Sequence, residues 1–135
     1  MNLTPAIAIH LSAALAATVL GPLALWARRG RTPRPRLHRV FGYAWVTLMV
    51  LTALSALFIH GSRLPHLHGY GPIHLLIPLL FVALWRAFRH LARRDIAGHR
   101  RAMQITYVGA CLVTGGFTLL PGRYLGQLLW HPWLA

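Results

Sequence analysis

Long apolar runs separated by short polar breaks make up nearly the whole chain of 135 residues. Four such runs predict helices over about residues 3–27, 37–59, 72–92 and 96–120, each near or above the ~20 residues that an α-helix needs to cross ~30 Å of hydrocarbon. Apolar positions do not alternate along these runs as they do in barrel strands. The sequence therefore predicts an all-α integral membrane four-helix bundle, formed by a single domain over residues 1–135.

Polar and helix-breaking residues mark where the predicted helices begin and end. Pro72 suits the first turn of the third helix, and Asp95 is placed to cap the positive N-terminus of the fourth. The fourth helix is expected to stop at Pro121-Gly122. Arg86 and Arg89 interrupt the third helix near its end, where long side chains can extend to the membrane interface.

The two ends of the chain carry different signals. No basic residue precedes the first apolar run, and a basic cluster follows it, so we expect a membrane helix there rather than a cleaved signal peptide. The residues from Arg123 to Ala135 are expected to form a tail. Its aromatic residues Tyr124, Trp130 and Trp133 are of the types that favour the membrane interface.

Charge in this chain is sparse and one-sided. Charged residues make up 11% of the sequence, against about 25% in an ordinary soluble domain, and 56% of the residues are hydrophobic. All 14 residues counted as Lys or Arg are arginines, and Asp95 is the single acid. This composition excludes an enzyme with a catalytic carboxylate pair and argues strongly against a Ser-His-Asp site. Cys111 is the one cysteine, which excludes an internal disulfide and a cysteine-based zinc site.

The arginines predict the orientation of the bundle. Twelve of the 14 lie in two clusters, at residues 28–39 and 86–101, which fall on the same side of a four-helix chain. The positive-inside rule assigns that side to the cytoplasm. Both termini and the loop over residues 60–72 then lie on the outer, periplasmic side of a bacterial inner membrane. Because topology explains the arginines, we expect them to contact anionic lipid headgroups rather than nucleic acid.

Nine histidines are many for this length, and the placement of four of them is informative. His10 lies about 8 Å below the outer boundary of the first helix, at ~1.5 Å per residue, where an ionisable side chain is costly and usually functional. His74 enters the third helix from the same side. His38 and His99 begin the second and fourth helices on the cytoplasmic side. These pairs are the two diagonals of a sequential bundle, and two facing imidazoles are the axial ligands that a six-coordinate b-type haem needs.

Small and basic residues near these histidines fit a flat macrocycle. Gly42 lies one turn after His38 and leaves room beside it. Arg39, Arg100 and Arg101 can pair with haem propionates through bidentate contacts. Further small residues lie along the first and fourth helices: Ala6, Ala14, Ala17, Gly21, Gly109, Gly115 and Gly116.

Simpler interpretations of the same residues stay open. Stripes of small residues are the usual means by which membrane helices approach each other without a cofactor. Histidines at helix ends can face lipid headgroups, which is the expected role of His90. Four more histidines lie on the outer side, where a His-x-His spacing could bind copper or zinc although carboxylate and cysteine partners are missing there: His60, His66, His68 and His131.

Three short motifs occur in a fixed order along the helices. They are His-Arg-x-x-Gly from His38, Gly-Pro-Ile-His ending at His74, and His-Arg-Arg-x-Met from His99. Together with the Gly-Phe-Thr-Leu-Leu-Pro-Gly-Arg segment that ends at Arg123, this order resembles the small bacterial four-helix membrane proteins of domain-of-unknown-function family 2306. The resemblance covers nearly the whole chain, from His10 to Arg123. The family name implies no established activity.

A looser likeness is to the cytochrome b-561 superfamily. Its four core helices hold two haems, one between the first and third helices and one between the second and fourth. The resemblance implies haem b at His10 and His74 and at His38 and His99, although the second pair lies nearer its helix ends than ligands of that superfamily do. Met49 and Met103 could serve as substitute axial ligands, and the simpler interpretation is that both are apolar core residues.

These observations predict transmembrane electron transfer by a di-haem or mono-haem b-type cytochrome-like protein, a haem-dependent membrane oxidoreductase. A membrane quinol or a cytoplasmic reductant would be the electron donor. The protein would be surrounded by the lipid bilayer, and a homo-oligomer is compatible with the sequence. The alternative is a non-enzymatic accessory protein that handles haem or copper during assembly of a respiratory complex. A stoichiometric Soret band in the purified protein distinguishes the two.

Overall fold

The computed structural model describes residues 4–28, 34–59, 72–120 and 124–134. This part of the chain is helical with short turns and contains no strand, which confirms the all-α prediction. The elements in chain order are α1 (Pro5–Trp26), α2 (Pro35–Ala56), a 3₁₀ turn (Pro72–Leu75) that leads into α3 (Leu76–Ala92), α4 (Ile96–Tyr107), a π-helical turn (Val108–Val113), α5 (Thr114–Phe117) and α6 (Tyr124–Leu134).

α1 and α2 pack side by side as a helical hairpin. Thr4 caps α1 by accepting the backbone N–H of Ile7, and the backbone N–H of Arg34 donates to the carbonyl oxygen of Ala27 at 2.8 Å, which brings the chain back after α1. Small residues let the two backbones approach closely. Those buried on α1 are Ala13, Ala17, Gly21 and Ala24.

α3 and α4 form a second hairpin with a tight corner. At the end of α3 the N–H of Asp95 donates to the carbonyl of His90 and the N–H of Arg94 to that of Leu91, which is the Schellman pattern. Arg94 occupies the left-handed position of this motif, with φ of 60°. The Asp95 carboxylate then accepts the N–H of Gly98 at 2.8 Å, which confirms the predicted cap of the fourth helix.

The fourth predicted segment is helical from Ile96 to Phe117 but is not uniform. It passes through the π-helical turn, which holds Cys111, and stops three residues short of the predicted end. The predicted stop at Pro121-Gly122 lies outside the described residues. The residues expected to form a tail contain a helix, α6, for which the sequence carried no clear signal.

The two hairpins meet around a small apolar core. Its buried members come from α1 to α3 and from the π-helical turn: Ala17, Trp45, Met49, Ala53, Leu80, Leu84 and Cys111. Most large apolar side chains point outward instead, such as Val19 at 63% exposure and Leu79 at 62%. A soluble protein rarely exposes so much contiguous apolar surface, whereas lipid accommodates it.

Two helices, α1 and α2, are each long and apolar enough to cross a membrane. Within the most apolar 18 residues of α1 and α2, only 17% and 22% are buried in the protein. Neither helix is therefore the enclosed core helix of a soluble domain. α3 has 17 residues and α4 has 12, and neither meets the same length on its own.

Candidate functional site

A cavity of about 670 Å³ lies at the arginine-rich end of the molecule, between the two hairpins. Its walls come from α1, α2, α3 and α4, and its volume falls within the ~300–1,000 Å³ typical of small-molecule and cofactor sites. Most of the lining is apolar. Predicted site residues line it from two helices: His38, Arg39 and Gly42 from α2, and His99 and Arg100 from α4.

His38 and His99 are oriented in the same way. Nδ1 of His38 lies 2.8 Å from the carbonyl oxygen of Ala24 on α1, and Nδ1 of His99 lies 2.9 Å from that of Ala87 on α3. A carbonyl can only accept, so each Nδ1 carries a proton, and the neutral form of each ring has its lone pair on Nε2. Within the described part of the chain, no hydrogen bond reaches either Nε2.

This orientation is the one found for histidines that bind a metal. Metal-ligating histidines usually donate their other ring N–H to a carbonyl or carboxylate, which fixes the tautomer and the ring direction. His38 and His99 thus present two lone-pair nitrogens from alternate helices of one cavity. Phe88 lies near His99, with ring centroids 6.5 Å apart and the two rings tilted.

His10 and His74, the predicted outer pair, do not line this cavity. Nδ1 of His10 donates to the carbonyl oxygen of Thr52 on α2 at 2.9 Å and lies 3.2 Å from Oγ of Ser55. His10 is therefore held in the same tautomer as His38 and His99. His74 is half-buried in the 3₁₀ turn before α3. The pairing of His10 with His74 stays a prediction.

Three arginines give the cavity its charge. Arg39 and Arg100, two of the three predicted propionate partners, line the cavity, whereas Arg101 does not. Arg28, just after the end of α1, also lines it, although the sequence did not point to it. No carboxylate is among the lining residues. Asp95, the only acid in the chain, lies at the α3–α4 corner, where the N–H of Gly98 and the hydrogen bond from His90 lower its pKa. No acidic side chain of the protein therefore neutralises the positive charge of the cavity.

Two glycines near the cavity have opposite surroundings. A Cβ on Gly42 would meet nothing within 4 Å, so this position opens onto free space. A Cβ on Gly21 would lie 2.4 Å from the ring of Tyr107 and 3.3 Å from Nε1 of Trp45. Gly21 is thus required for close packing of α1 against α2 and α4, while Gly42 contributes room.

Trp45 belongs to both the cavity wall and the core. It is 2% exposed, and its Nε1–H has no hydrogen-bond partner among the described residues. Tyr107, another wall residue, donates its hydroxyl to the carbonyl oxygen of Thr18 at 2.9 Å.

Taken together, the features of the cavity fit a flat, metal-containing dianion such as haem b. These features are the open wall at Gly42, the two oriented imidazoles and the uncompensated positive charge.

Other predicted ligands have different outcomes. Met103 lines the cavity one turn after His99, whereas Met49 is buried in the core, 3.7 Å from the Cys111 sulfur. The described residues contain no group of three or more His, Cys, Asp or Glu side chains that could hold a metal ion. Three of the histidines predicted on the outer side lie outside the described residues: His60, His66 and His68. The side chain of the fourth, His131, is also outside the described part of the structure.

The groups that orient the histidines could not be predicted from the sequence. The carbonyl oxygens of Ala24 and Ala87 carry no signal in the sequence, because every residue has one. Arg28 could have been found, since it belongs to the same arginine cluster as Arg39. Its entry into the cavity depends on how α1 is rotated.

Comparison with known protein families relates this chain to a family of membrane proteins. A family model described as "Predicted membrane protein (DUF2306)" matches residues 7–130. The match includes His10, His38, His74 and His99. Neither the curated proteins nor the solved structures give a match to this chain.

Proposed function

The chain belongs to the DUF2306 family of predicted membrane proteins, and from this premise we propose that it transfers electrons in the bacterial inner membrane with a b-type haem held in the cavity of His38 and His99. One observation carries the proposal. Two histidines from alternate helices line one cavity, and a carbonyl on a neighbouring helix fixes each in the tautomer whose Nε2 can bind iron.

Different residues of the cavity would contact different parts of the haem. His38 and His99 would supply the axial nitrogens, and the open space at Gly42 would admit the macrocycle. Arg39 and Arg100 would pair with propionates, since guanidinium and carboxylate make bidentate contacts. When bound, haem supplies one-electron chemistry at its iron.

The charge of the cavity supports an electron-transfer role. Arg28, Arg39 and Arg100 place positive charge on its lining, and pairing of Arg39 and Arg100 with the two propionates would leave that of Arg28 unopposed by any lining carboxylate. Positive charge in a medium of low dielectric stabilises an added electron and raises the reduction potential of a nearby redox centre. A quinol in the membrane or a cytoplasmic reductant would be the donor, because the positive-inside rule predicts that the arginine-rich end is cytoplasmic.

A multi-pass, four-span topology is part of the proposal. From Ile96 to Phe117 the helical chain is roughly 30 Å long, and the 3₁₀ turn with α3 is about as long, which suits a bilayer. Both termini would then lie on the periplasmic side. A reporter enzyme fused after Ala135 should be active if it works in the periplasm, and activity of a cytoplasmic reporter there would contradict this orientation.

The first experiment measures haem directly. The full chain, expressed with ample haem supply and extracted in detergent, should show a Soret band and reduced b-type bands after dithionite. His38→Ala and His99→Ala should each remove one haem per chain in a pyridine haemochrome assay, and Gly42→Leu should do so with both histidines intact. His90→Ala is the matched control, since His90 lies at the α3–α4 corner away from the cavity.

The outcomes separate the two candidate functions. Haem content that is unchanged in both His38→Ala and His99→Ala would remove this cavity as the site. Loss in His10→Ala or His74→Ala would add the predicted outer site, and with it the di-haem form. A colourless wild-type protein would contradict the electron carrier and favour the accessory protein for respiratory assembly.

The second experiment tests the transfer itself. Haem-loaded protein is reconstituted into vesicles that enclose ferricyanide, and a reductant is added outside. Transfer across the bilayer should speed the loss of ferricyanide absorbance above that of protein-free vesicles. Vesicles with His38→Ala should stay at the protein-free rate. Equal rates with and without wild-type protein would refute transmembrane transfer.

A further inference from the structure

Two tryptophan–arginine pairs lie outside the cavity, at the same end of the molecule. The guanidinium of Arg34 lies over the ring of Trp26, 5.1 Å from its centroid, and that of Arg89 lies over the ring of Trp85 at 5.0 Å. Trp26 ends α1, and Arg34 immediately precedes α2. Trp85 and Arg89 are one turn apart on α3.

Both pairs face the surroundings of the protein. Trp26 is 54% exposed and Trp85 57% exposed, and both arginines are exposed as well. Tryptophan favours the interface between hydrocarbon and headgroups. Tryptophan rings at this interface would hold their guanidiniums close to the lipid phosphates.

A guanidinium that lies over a ring face can keep its N–H donors available for an anion. Where the two planes are parallel, the contact uses the face of the guanidinium, and its N–H donors point outward in a fixed fork that matches phosphate or carboxylate. Fixing this geometry in advance also reduces the side-chain entropy lost when an anion binds.

No acidic side chain of this chain is available to bind the two arginines. Asp95 is its only acidic side chain, and this carboxylate already accepts from His90 and from the N–H of Gly98. The single side-chain ion pair within the described residues is the one between His90 and Asp95. Arg34 and Arg89 thus need an external anion if their guanidinium N–H donors are to form an ion pair.

We propose that each of the two pairs, Trp26 with Arg34 and Trp85 with Arg89, binds the phosphate of one anionic phospholipid. The protein lies in a bilayer, where the phosphate of an anionic lipid is the partner with the matching charge and depth. Arginine and phosphate make bidentate, charge-assisted hydrogen bonds. The exposed apolar surfaces of α1 and α3 continue from the two pairs and would accommodate the acyl chains.

Lipid counting tests the proposal. The full chain is reconstituted in phosphatidylcholine with a minority of phosphatidylglycerol, extracted in mild detergent, and its bound lipids are counted by native mass spectrometry. Wild type should retain two phosphatidylglycerol molecules in preference to phosphatidylcholine. Arg34→Gln and Arg89→Gln should each retain one fewer, and the double variant none.

Matched variants separate a site from general attraction between charges. Arg36→Gln and Arg93→Gln remove the same charge two and four residues away, and neither arginine is paired with a tryptophan or lines the cavity. Both should retain two lipids. Trp85→Leu keeps every charge but removes the platform under Arg89, and should lose one lipid.

Three results would overturn the proposal. One is equal lipid loss in Arg89→Gln and Arg93→Gln, and another is full retention in Trp85→Leu. The third is displacement of the lipid by excess inorganic phosphate, which would assign the sites to free phosphate. Unfolding temperatures in a zwitterionic detergent should be the same for wild type and Trp85→Leu, because the side chain is exposed, and this comparison excludes misfolding as the cause of a loss.

Discussion

Replacing Gly21 with alanine should loosen the contact between the two hairpins. The new Cβ would stand 2.4 Å from Cδ2 and Cε2 of Tyr107, whereas carbon atoms pack at about 3.5–4.0 Å, so the ring must retreat by more than ~1 Å. Such a shift also breaks the 2.9 Å hydrogen bond from the Tyr107 hydroxyl to the carbonyl of Thr18.

The cost of this change follows from three contributions. Overpacking costs about 1–3 kcal/mol, and a lost hydrogen bond between membrane helices adds about 0.6 kcal/mol. The better helix propensity of alanine returns up to ~1 kcal/mol. We expect a net loss of about 1–2 kcal/mol in the free energy of unfolding, or roughly a 5–30-fold change in the unfolding equilibrium.

Equilibrium unfolding in mixed micelles, followed by far-UV circular dichroism, measures this difference. Gly42→Ala is the control, because nothing lies within 4 Å of its new Cβ, and it should be at least as stable as wild type. In a Tyr107→Leu background, which removes the ring, Gly21→Ala should cost less. The packing argument is refuted if Gly21→Ala and Gly42→Ala unfold at the same denaturant concentration.

Three further outcomes are expected from the α3–α4 corner and the core. Arg94→Gly should stabilise the protein by up to ~1 kcal/mol in the same unfolding assay, since glycine adopts the φ of 60° without the clash that a side chain makes, and a destabilised variant would contradict this. Because the pKa of Asp95 is lowered in the folded protein, its contribution to stability is full above pH 3.8, the ordinary value for aspartate, and is lost as the pH falls below it. Asp95→Asn should remove this acid sensitivity. An unchanged pH profile in the variant would show that other groups are responsible. The Cys111 thiol, in a residue that is 8% exposed, should react with a maleimide only after unfolding, and fast labelling of the native protein would contradict the packing of the π-helical turn.

Local chemistry along the chain determined much of what the structure contains. The length of the apolar runs was enough to predict α1 and α2, since burial in lipid requires internally hydrogen-bonded helices. The cap at Asp95 was predictable because it involves only the next three residues. His38 and Gly42 lie on one helical face by spacing alone, and both line the cavity.

Contacts between helices were decided only by the tertiary structure. The carbonyls that orient His38 and His99 belong to α1 and α3, and the rotation of each helix about its axis determines which carbonyl is reached. The same rotation brings Arg28 to the cavity and leaves Arg101 outside it. No pattern in a single helix encodes that rotation, because it results from how small residues such as Gly21 let neighbouring backbones approach.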